Sequence, residues 1–177
     1  STFLRTIGLN ILLSQTFGSC HATAFSSGLF HIRSLIQKHD DILTGKSFYY
    51  HEAERILDMI QSDPPHASVS DLFIIDEFFS GTNSIERVKA AIAVLLFLRE
   101  KRALTLAATH DLLVAERLSR DFACLHFADA IADGSIQFDY RLLPGMLQST
   151  NGIRLLEVMG FPDRIIEMAR REPGTNT

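Results

Sequence analysis

Apolar residues along this chain fall into two kinds of segment that follow one another. Longer segments carry apolar residues around a helical period, either as one stripe or on all sides. These predicted helices are Thr2 to Gln15, Phe48 to Gln61, Ser84 to Arg99, Leu112 to Leu118, and two short helices between Gly152 and Arg171 that Pro162 interrupts. The shorter apolar segments are predicted strands: Ala22 to Ser27, Leu29 to Leu35, Leu72 to Ile75, Ala103 to Ala108, Phe122 to Phe127 and Ser135 to Leu142. Strands that alternate with helices predict an α/β fold with a mainly parallel sheet covered by helices on both faces.

The chain has 177 residues, which is enough for one domain with a sizeable core. Residues 1–172 are expected to form that domain, and residues 173–177 a disordered tail. No apolar run is long enough to span a bilayer. The net charge of −4 and the lack of a Lys/Arg cluster do not support nucleic-acid contact within these residues. Cys20 and Cys124 have no metal-site spacing and suit a reducing compartment, most simply the cytoplasm.

Two acids, Asp76 and Glu77, directly follow the apolar run Leu72 to Ile75. A buried strand that ends in acids is the Walker B pattern, and it delivers both carboxylates to the edge of the sheet where ligands bind. The first acid can hold Mg²⁺ through its water shell, and the second can orient or deprotonate an attacking water. Solvated acids at a strand end are the alternative interpretation.

His110 follows the next apolar strand, within Ala107-Ala108-Thr109-His110-Asp111. Neighbouring parallel strands end side by side, so His110 is expected near Glu77. There it can donate a hydrogen bond to a phosphate. A purely structural histidine is the alternative.

A loop of small and polar residues follows the acids and includes Gly81, Thr82, Asn83 and Ser84. Its backbone N–H groups and hydroxyls can approach a phosphate. Ser84 can equally be the N-cap of the helix that follows.

A Gly-Lys-Ser triplet occurs at residues 45–47. A P-loop needs another glycine about five residues before the Gly-Lys, and residues 39–43 contain none. We therefore interpret Ser47 as the N-cap of the Phe48 helix rather than as part of a P-loop.

Taken in order, these motifs resemble the C-terminal ATPase domain of the MutS family, an ABC-type P-loop NTPase. Ser1-Thr2-Phe3-Leu4-Arg5 matches the end of the family's P-loop, whose glycines and Lys we expect to precede residue 1. The other matching segments are Gly45 to Tyr49, Asp76-Glu77, Gly81 to Ser84, Ala108-Thr109-His110 and, in part, Gly152 to Pro162. The resemblance covers nearly the whole chain.

The resemblance implies an Mg²⁺-dependent ATPase that forms a homodimer, or a dimer with a MutS-like partner, with ATP between the subunits. It implies that Ser1 and Asp76 hold Mg²⁺, that Glu77 activates water and that His110 senses the γ-phosphate. Nucleotide contacts are further implied for Thr2, Ser47, Gly81, Thr82, Asn83 and Ser84. DNA would be bound through regions outside these residues, with no membrane involved.

The run Asn83-Ser84-Ile85-Glu86-Arg87 departs from the mismatch-binding members and is more similar to a divergent branch of the family. An ATPase with another DNA-processing role is therefore one alternative. An ABC ATPase of a transporter or of a chromosome-structure protein is a second, although no Leu-Ser-Gly-Gly run precedes the acids. A non-enzymatic interaction module is a third, since this chain alone is expected to bind ATP poorly.

Overall fold

The computed structural model describes residues 1–36, 48–62, 69–79, 82–132, 135–147 and 152–171. In chain order its elements are α1 (Thr2–Phe17), β1 (Phe30–Leu35), α2 (Phe48–Gln61), β2 (Ser70–Asp76), α3 (Ser84–Glu100), β3 (Leu104–Ala108), α4 (Leu112–Leu118), β4 (Leu125–Ala132), β5 (Ser135–Pro144), α5 (Gly152–Val158) and α6 (Asp163–Arg171). The chain divides into two compact units, Ser1–Leu118 and Ser119–Thr177.

The first unit is built on a parallel three-stranded sheet in the order β1-β2-β3. In the register of β2 with β3, Leu72 lies opposite Leu104 and Asp76 lies opposite Ala108. Strands β2 and β3 therefore end at the same level. This alignment brings together the polar residues that follow the two strands.

Strand β2 is the centre of the hydrophobic core of the first unit. Its residues Leu72, Phe73, Ile74 and Ile75 are each at most 1% exposed. Because successive side chains of a strand point to opposite faces, this burial means that both faces of β2 are covered. A strand buried on both faces reads as a continuous apolar run, which is the pattern that predicted it.

Helix α1 covers one face of the sheet. Leu4 and Ile11 of this helix form a buried cluster with Leu72 and Ile74. Gly8 faces the same strand, where an added Cβ would lie 2.9 Å from Ile74 Cδ1. The absence of a side chain at Gly8 thus lets the helix backbone approach β2 closely.

The second unit contains an antiparallel pair of strands, β4 and β5, and two short helices. Helix α5 contacts both β5 and α6. Glu157 of α5 accepts a hydrogen bond from Arg170 of α6. Gly160, with a φ of 78°, lies between the helices in a left-handed conformation that glycine adopts readily.

Most predicted elements are confirmed, and α2 and α4 have the predicted bounds. The predicted strand from Ala22 to Ser27 is wrong, since residues 21–29 are exposed and form bends and irregular chain. Side chains of α1 satisfy the backbone at both ends of this segment: Asn10 Oδ1 accepts from His21 N at 2.7 Å, and Gln15 Oε1 accepts from Phe30 N at 2.7 Å.

The prediction of a mainly parallel sheet is confirmed for three strands, and the last two strands form a separate pair. Strands β4 and β5 pair with each other in antiparallel fashion rather than extending that sheet. Strand β4 also begins at Leu125, three residues later than predicted. The predicted tail at residues 173–177 lies outside the described residues.

Replacing Ile74 with Ala should lower the free energy of unfolding by about 2–5 kcal/mol, because it leaves a cavity where α1 packs on β2. The matched control is Ile85→Ala, at a side chain that is 65% exposed, where a change within about 0.5 kcal/mol is expected. Urea unfolding of both variants measures the difference. Equal losses at the two positions would contradict the described core.

Candidate functional site

Asp76 and Glu77 lie where β2 ends, as the sequence predicts. Asp76 is the last residue of the strand, and its side chain is only 10% exposed, whereas that of Glu77 is 33% exposed. The Glu77 N–H donates to the Ala108 carbonyl at 2.9 Å, which extends the pairing of β2 with β3 by one residue. The less exposed acid suits a fixed ligand role, and the more exposed one can meet a substrate.

His110 lies beside Glu77, as expected from the parallel strands. Its Nδ1 atom is 3.1 Å from Glu77 Oε1. The imidazole is 61% exposed, so part of the ring faces solvent while the other part contacts the carboxylate. The two side chains form an acid–imidazole pair at the carboxyl edge of the sheet.

Ser1, at the start of α1, lies next to Asp76. Its nitrogen is 3.5 Å from Asp76 Oδ1. Ser1 is the N-cap residue, and its hydroxyl makes no capping hydrogen bond with the helix. Since the N-terminus of a helix favours negative charge, the start of α1 is suited to a phosphate.

The residues at this edge fit an Mg²⁺ ion in their chemistry. The Ser1 hydroxyl and the Asp76 carboxylate are oxygen donors, the kind that Mg²⁺ prefers, and they lie on neighbouring elements. Mg²⁺ commonly takes only one or two protein carboxylates and keeps several waters. Among the described residues, no group of three or more His, Cys, Asp or Glu side chains forms a metal cage.

The backbone that follows β2 is strained. Glu77 has a φ of 62° and Phe79 a φ of 50°, a left-handed region that residues other than glycine rarely adopt. Such conformations cost of order 1–3 kcal/mol each and persist when their surroundings fix them. Phe78 and Phe79 are 3% and 6% exposed, so burial of both rings holds this segment in place.

Three of the loop residues that the sequence singled out, Thr82, Asn83 and Ser84, lie at the start of α3. Asn83, and not Ser84, is the N-cap of this helix, and its Oδ1 accepts from Glu86 N at 2.9 Å. Of the two alternatives for Ser84, helix capping is therefore wrong, and Ser84 is the first helical residue. Thr82 Oγ1 donates to Glu86 Oε2 at 3.1 Å, so the side chains of Thr82 and Asn83 both contact the helix start.

The remaining predicted site residues are only partly described. Thr2 is exposed in the first turn of α1, where its carbonyl accepts from Thr6 Oγ1 at 2.9 Å. Ser47 and Gly81 lie outside the described residues. Their nucleotide contacts stay predictions.

The sequence reasoning missed an ion pair beside the site. Arg87 of α3 donates from Nε to Asp111 Oδ2 at 2.8 Å and from Nη2 to Oδ1 at 3.2 Å. This two-pronged hydrogen bond raises the pKa of Arg87; burial opposes the rise, while the charges of Asp111 and Glu77 add to it. The guanidinium therefore stays charged at every ordinary pH. Asp111 directly follows His110, so the pair ties α3 to the histidine.

A comparison with known protein families identifies the family of this chain. The model described as MutS domain V matches residues 1–174. The chain belongs to the MutS family. Three relatives that are named as MutS proteins are similar in sequence to this MutS-family chain over 96% of its length.

The DNA mismatch repair protein MutS of Thermus thermophilus is 34% identical over 172 residues, which are 96% of this chain and 21% of the relative. The protein of the same name from Thermus aquaticus has the same identity and coverage. The DNA mismatch repair protein MutS 2 of Haloarcula marismortui is 28% identical over 174 residues, or 96% of this chain and 18% of the relative. The chain thus spans about a fifth of the length of these relatives.

Replacing Arg87 with Ala should lower the free energy of unfolding by about 1 kcal/mol, since the pair with Asp111 is charged but still a fifth exposed. Arg87→Lys should recover less than half of that loss, because an ammonium cannot make the two parallel bonds. Urea unfolding checks both, with Lys89→Ala on the exposed side of α3 as control. An Arg87→Lys variant as stable as the wild type would refute the two-pronged contact.

Proposed function

We propose that this MutS-family segment binds and hydrolyses ATP with Mg²⁺ as part of the complete protein. The observation that carries the proposal is the contact between His110 and Glu77 next to Asp76 and the start of α1. These side chains come from three separate parts of the chain, and the sheet brings them to one edge. The family match and the predicted end of a P-loop at Ser1-Thr2 support the same assignment.

The roles of the residues follow from their chemistry and placement. The Ser1 hydroxyl and the Asp76 carboxylate would hold Mg²⁺, which supplies positive charge to the phosphates of ATP. Glu77 would orient the attacking water and accept its proton. His110 would donate a hydrogen bond to the terminal phosphate through Nε2, in the imidazolium form whose Nδ1 also donates to Glu77.

The wider proposal concerns the whole protein. Two subunits would bind ATP between them, with nucleotide contacts from Ser47 of the partner's loop and from the Gly81–Ser84 loop. The bound ATP would control how the protein engages DNA through regions outside this segment. The relatives are named as DNA mismatch repair proteins, which supports a role in DNA repair. A cytoplasmic location is part of the proposal. Among the described residues, none of the helices has the length and hydropathy needed to cross a bilayer.

A second candidate function is an ATPase of the MutS family that acts on DNA without recognising mismatches. The run from Asn83 to Arg87 favours it, because its sequence departs from that of the mismatch-binding members of the family. Binding of mismatched and matched duplexes by the complete protein separates the two candidates. Equal affinity for the mismatched and the matched duplex would support the second candidate function.

Glu77→Gln in the complete protein should lower the kcat of ATP hydrolysis by about 100-fold or more, because the amide cannot accept a proton. Nucleotide binding should be retained, since the side chain keeps its shape. Glu100→Gln, at the far end of α3, is the matched control and should hydrolyse ATP at the wild-type rate. Hydrolysis at the wild-type rate by Glu77→Gln would show that Glu77 does not activate water.

Asp76→Asn should raise the Mg²⁺ concentration needed for half-maximal hydrolysis by about 10-fold or more, because a neutral amide holds the hydrated cation less well. The measurement is ATP turnover across a Mg²⁺ titration at saturating ATP. An unchanged Mg²⁺ dependence would remove Asp76 from the metal site.

A further inference from the structure

Glu52 is a buried carboxyl group that the proposed mechanism does not use. It lies on α2 and is 8% exposed. Its Oε1 atom accepts a hydrogen bond from the Phe79 backbone N–H at 2.6 Å. The two residues are 27 positions apart, so this contact joins α2 to the segment that follows the acids.

Burial of a carboxyl group is unfavourable unless its oxygens find donors. Here a donor is the backbone of Phe79, a residue held at a φ of 50°. A hydrogen bond between a carboxylate and a backbone N–H is among the stronger ones in proteins and has a defined direction. Glu52 therefore restrains the backbone at a residue held in the left-handed region.

A second contact from the same helix supports this restraint. The ring of Tyr49 packs against the ring of Phe79, with centroids 5.6 Å apart. Tyr49 and Glu52 are three positions apart and so share one face of α2. That face holds both the backbone and the side chain of Phe79.

Two hydrogen bonds hold the backbone at Glu77 and just after it. Its own N–H is bonded to the Ala108 carbonyl, and two residues later the Phe79 N–H is bonded to Glu52. With both ends of this short run held, the backbone sets the Cα–Cβ direction of Glu77, from which the carboxylate reaches His110.

We infer that Glu52 is a positioning residue, which fixes the backbone of residues 77–79 and thereby directs the Glu77 carboxylate for ATP hydrolysis. This inference rests on the proposed function. It predicts that removal of Glu52 impairs the chemical step while leaving ATP binding largely unchanged.

The test compares Glu52→Ala and Glu52→Gln in the complete protein. Glu52→Ala should lower the kcat of ATP hydrolysis by about 10- to 100-fold, because a small misplacement of a reacting group has a large effect on rate. The KM for ATP should change less than about 3-fold if binding is retained. Glu52→Gln should recover most of the activity, since its amide oxygen can still accept from Phe79.

The control is Glu54→Ala, at a carboxyl group on the same helix that is 42% exposed and contacts His51. It should leave kcat unchanged. Where Glu52→Ala does not fold, Glu52→Asp replaces it, because the shorter side chain keeps the carboxyl group but withdraws it from Phe79. Glu52→Asp should then be slower than Glu52→Gln.

A double variant separates a positioning role of Glu52 from a purely structural one. In a Glu77→Gln background, Glu52→Ala should cause no additional loss of kcat, because Glu52 acts through Glu77. Independent, multiplicative losses would overturn the inference, and so would a kcat of Glu52→Ala within about 2-fold of wild type.

Hydrogen exchange provides a readout without nucleotide. Exchange of the Phe79 amide should become faster in Glu52→Ala and stay slow in Glu54→Ala. Unchanged exchange in Glu52→Ala would overturn the anchoring itself. A wild-type protein that does not hydrolyse ATP would instead contradict the proposed function, so the two failures are distinguishable.

Discussion

The candidate site depends on the parallel pairing of β2 with β3. In this register Asp76 lies opposite Ala108, and the Glu77 N–H donates to the Ala108 carbonyl at 2.9 Å. The residues that follow the two strands must then emerge side by side. A shift of the register by two residues would move His110 about 6.6 Å along the strand direction, well beyond hydrogen-bond distance from Glu77.

Burial of β2 on both faces stabilises that pairing. Just beyond the strand, the backbone of Glu77 and Phe79 is held in the strained left-handed region. Burial of Phe78 and Phe79, and the bond from Phe79 to Glu52, offset the left-handed conformations. Strain of this kind concentrates at functional sites, where it fixes side chains that would otherwise be mobile. The strained segment here carries Glu77, the residue that the proposed mechanism uses to activate water.

Much of the fold follows from local patterns. Helix α2 has a clear apolar stripe, and β2 is a continuous apolar run that ends in acids, so both could be recognised from the sequence alone. The false strand at residues 22–27 has small or polar residues apart from Phe25, and the N–H groups of His21 and Phe30 on either side of it donate to side chains of α1. Such side-chain contacts depend on tertiary placement, which local patterns do not encode.

The candidate site was predictable only as far as it follows from the order and direction of the strands. Parallel strands bring Glu77 and His110 together, and this consequence of topology was visible in the sequence. The contacts of Glu52 and Arg87 were not, because each joins residues more than 20 positions apart through side-chain geometry. The helix cap at Asn83 differs from the expected Ser84 by one residue, which is the scale at which helix ends are hardest to place.

The central claim is that one edge of the sheet holds the phosphates of ATP. A crystal structure of the complete protein with Mg²⁺ and a non-hydrolysable ATP analogue tests it most directly. The account predicts the terminal phosphate next to Glu77 and His110, with the metal ion between the Ser1 hydroxyl and Asp76. A nucleotide bound away from these four residues would contradict the account.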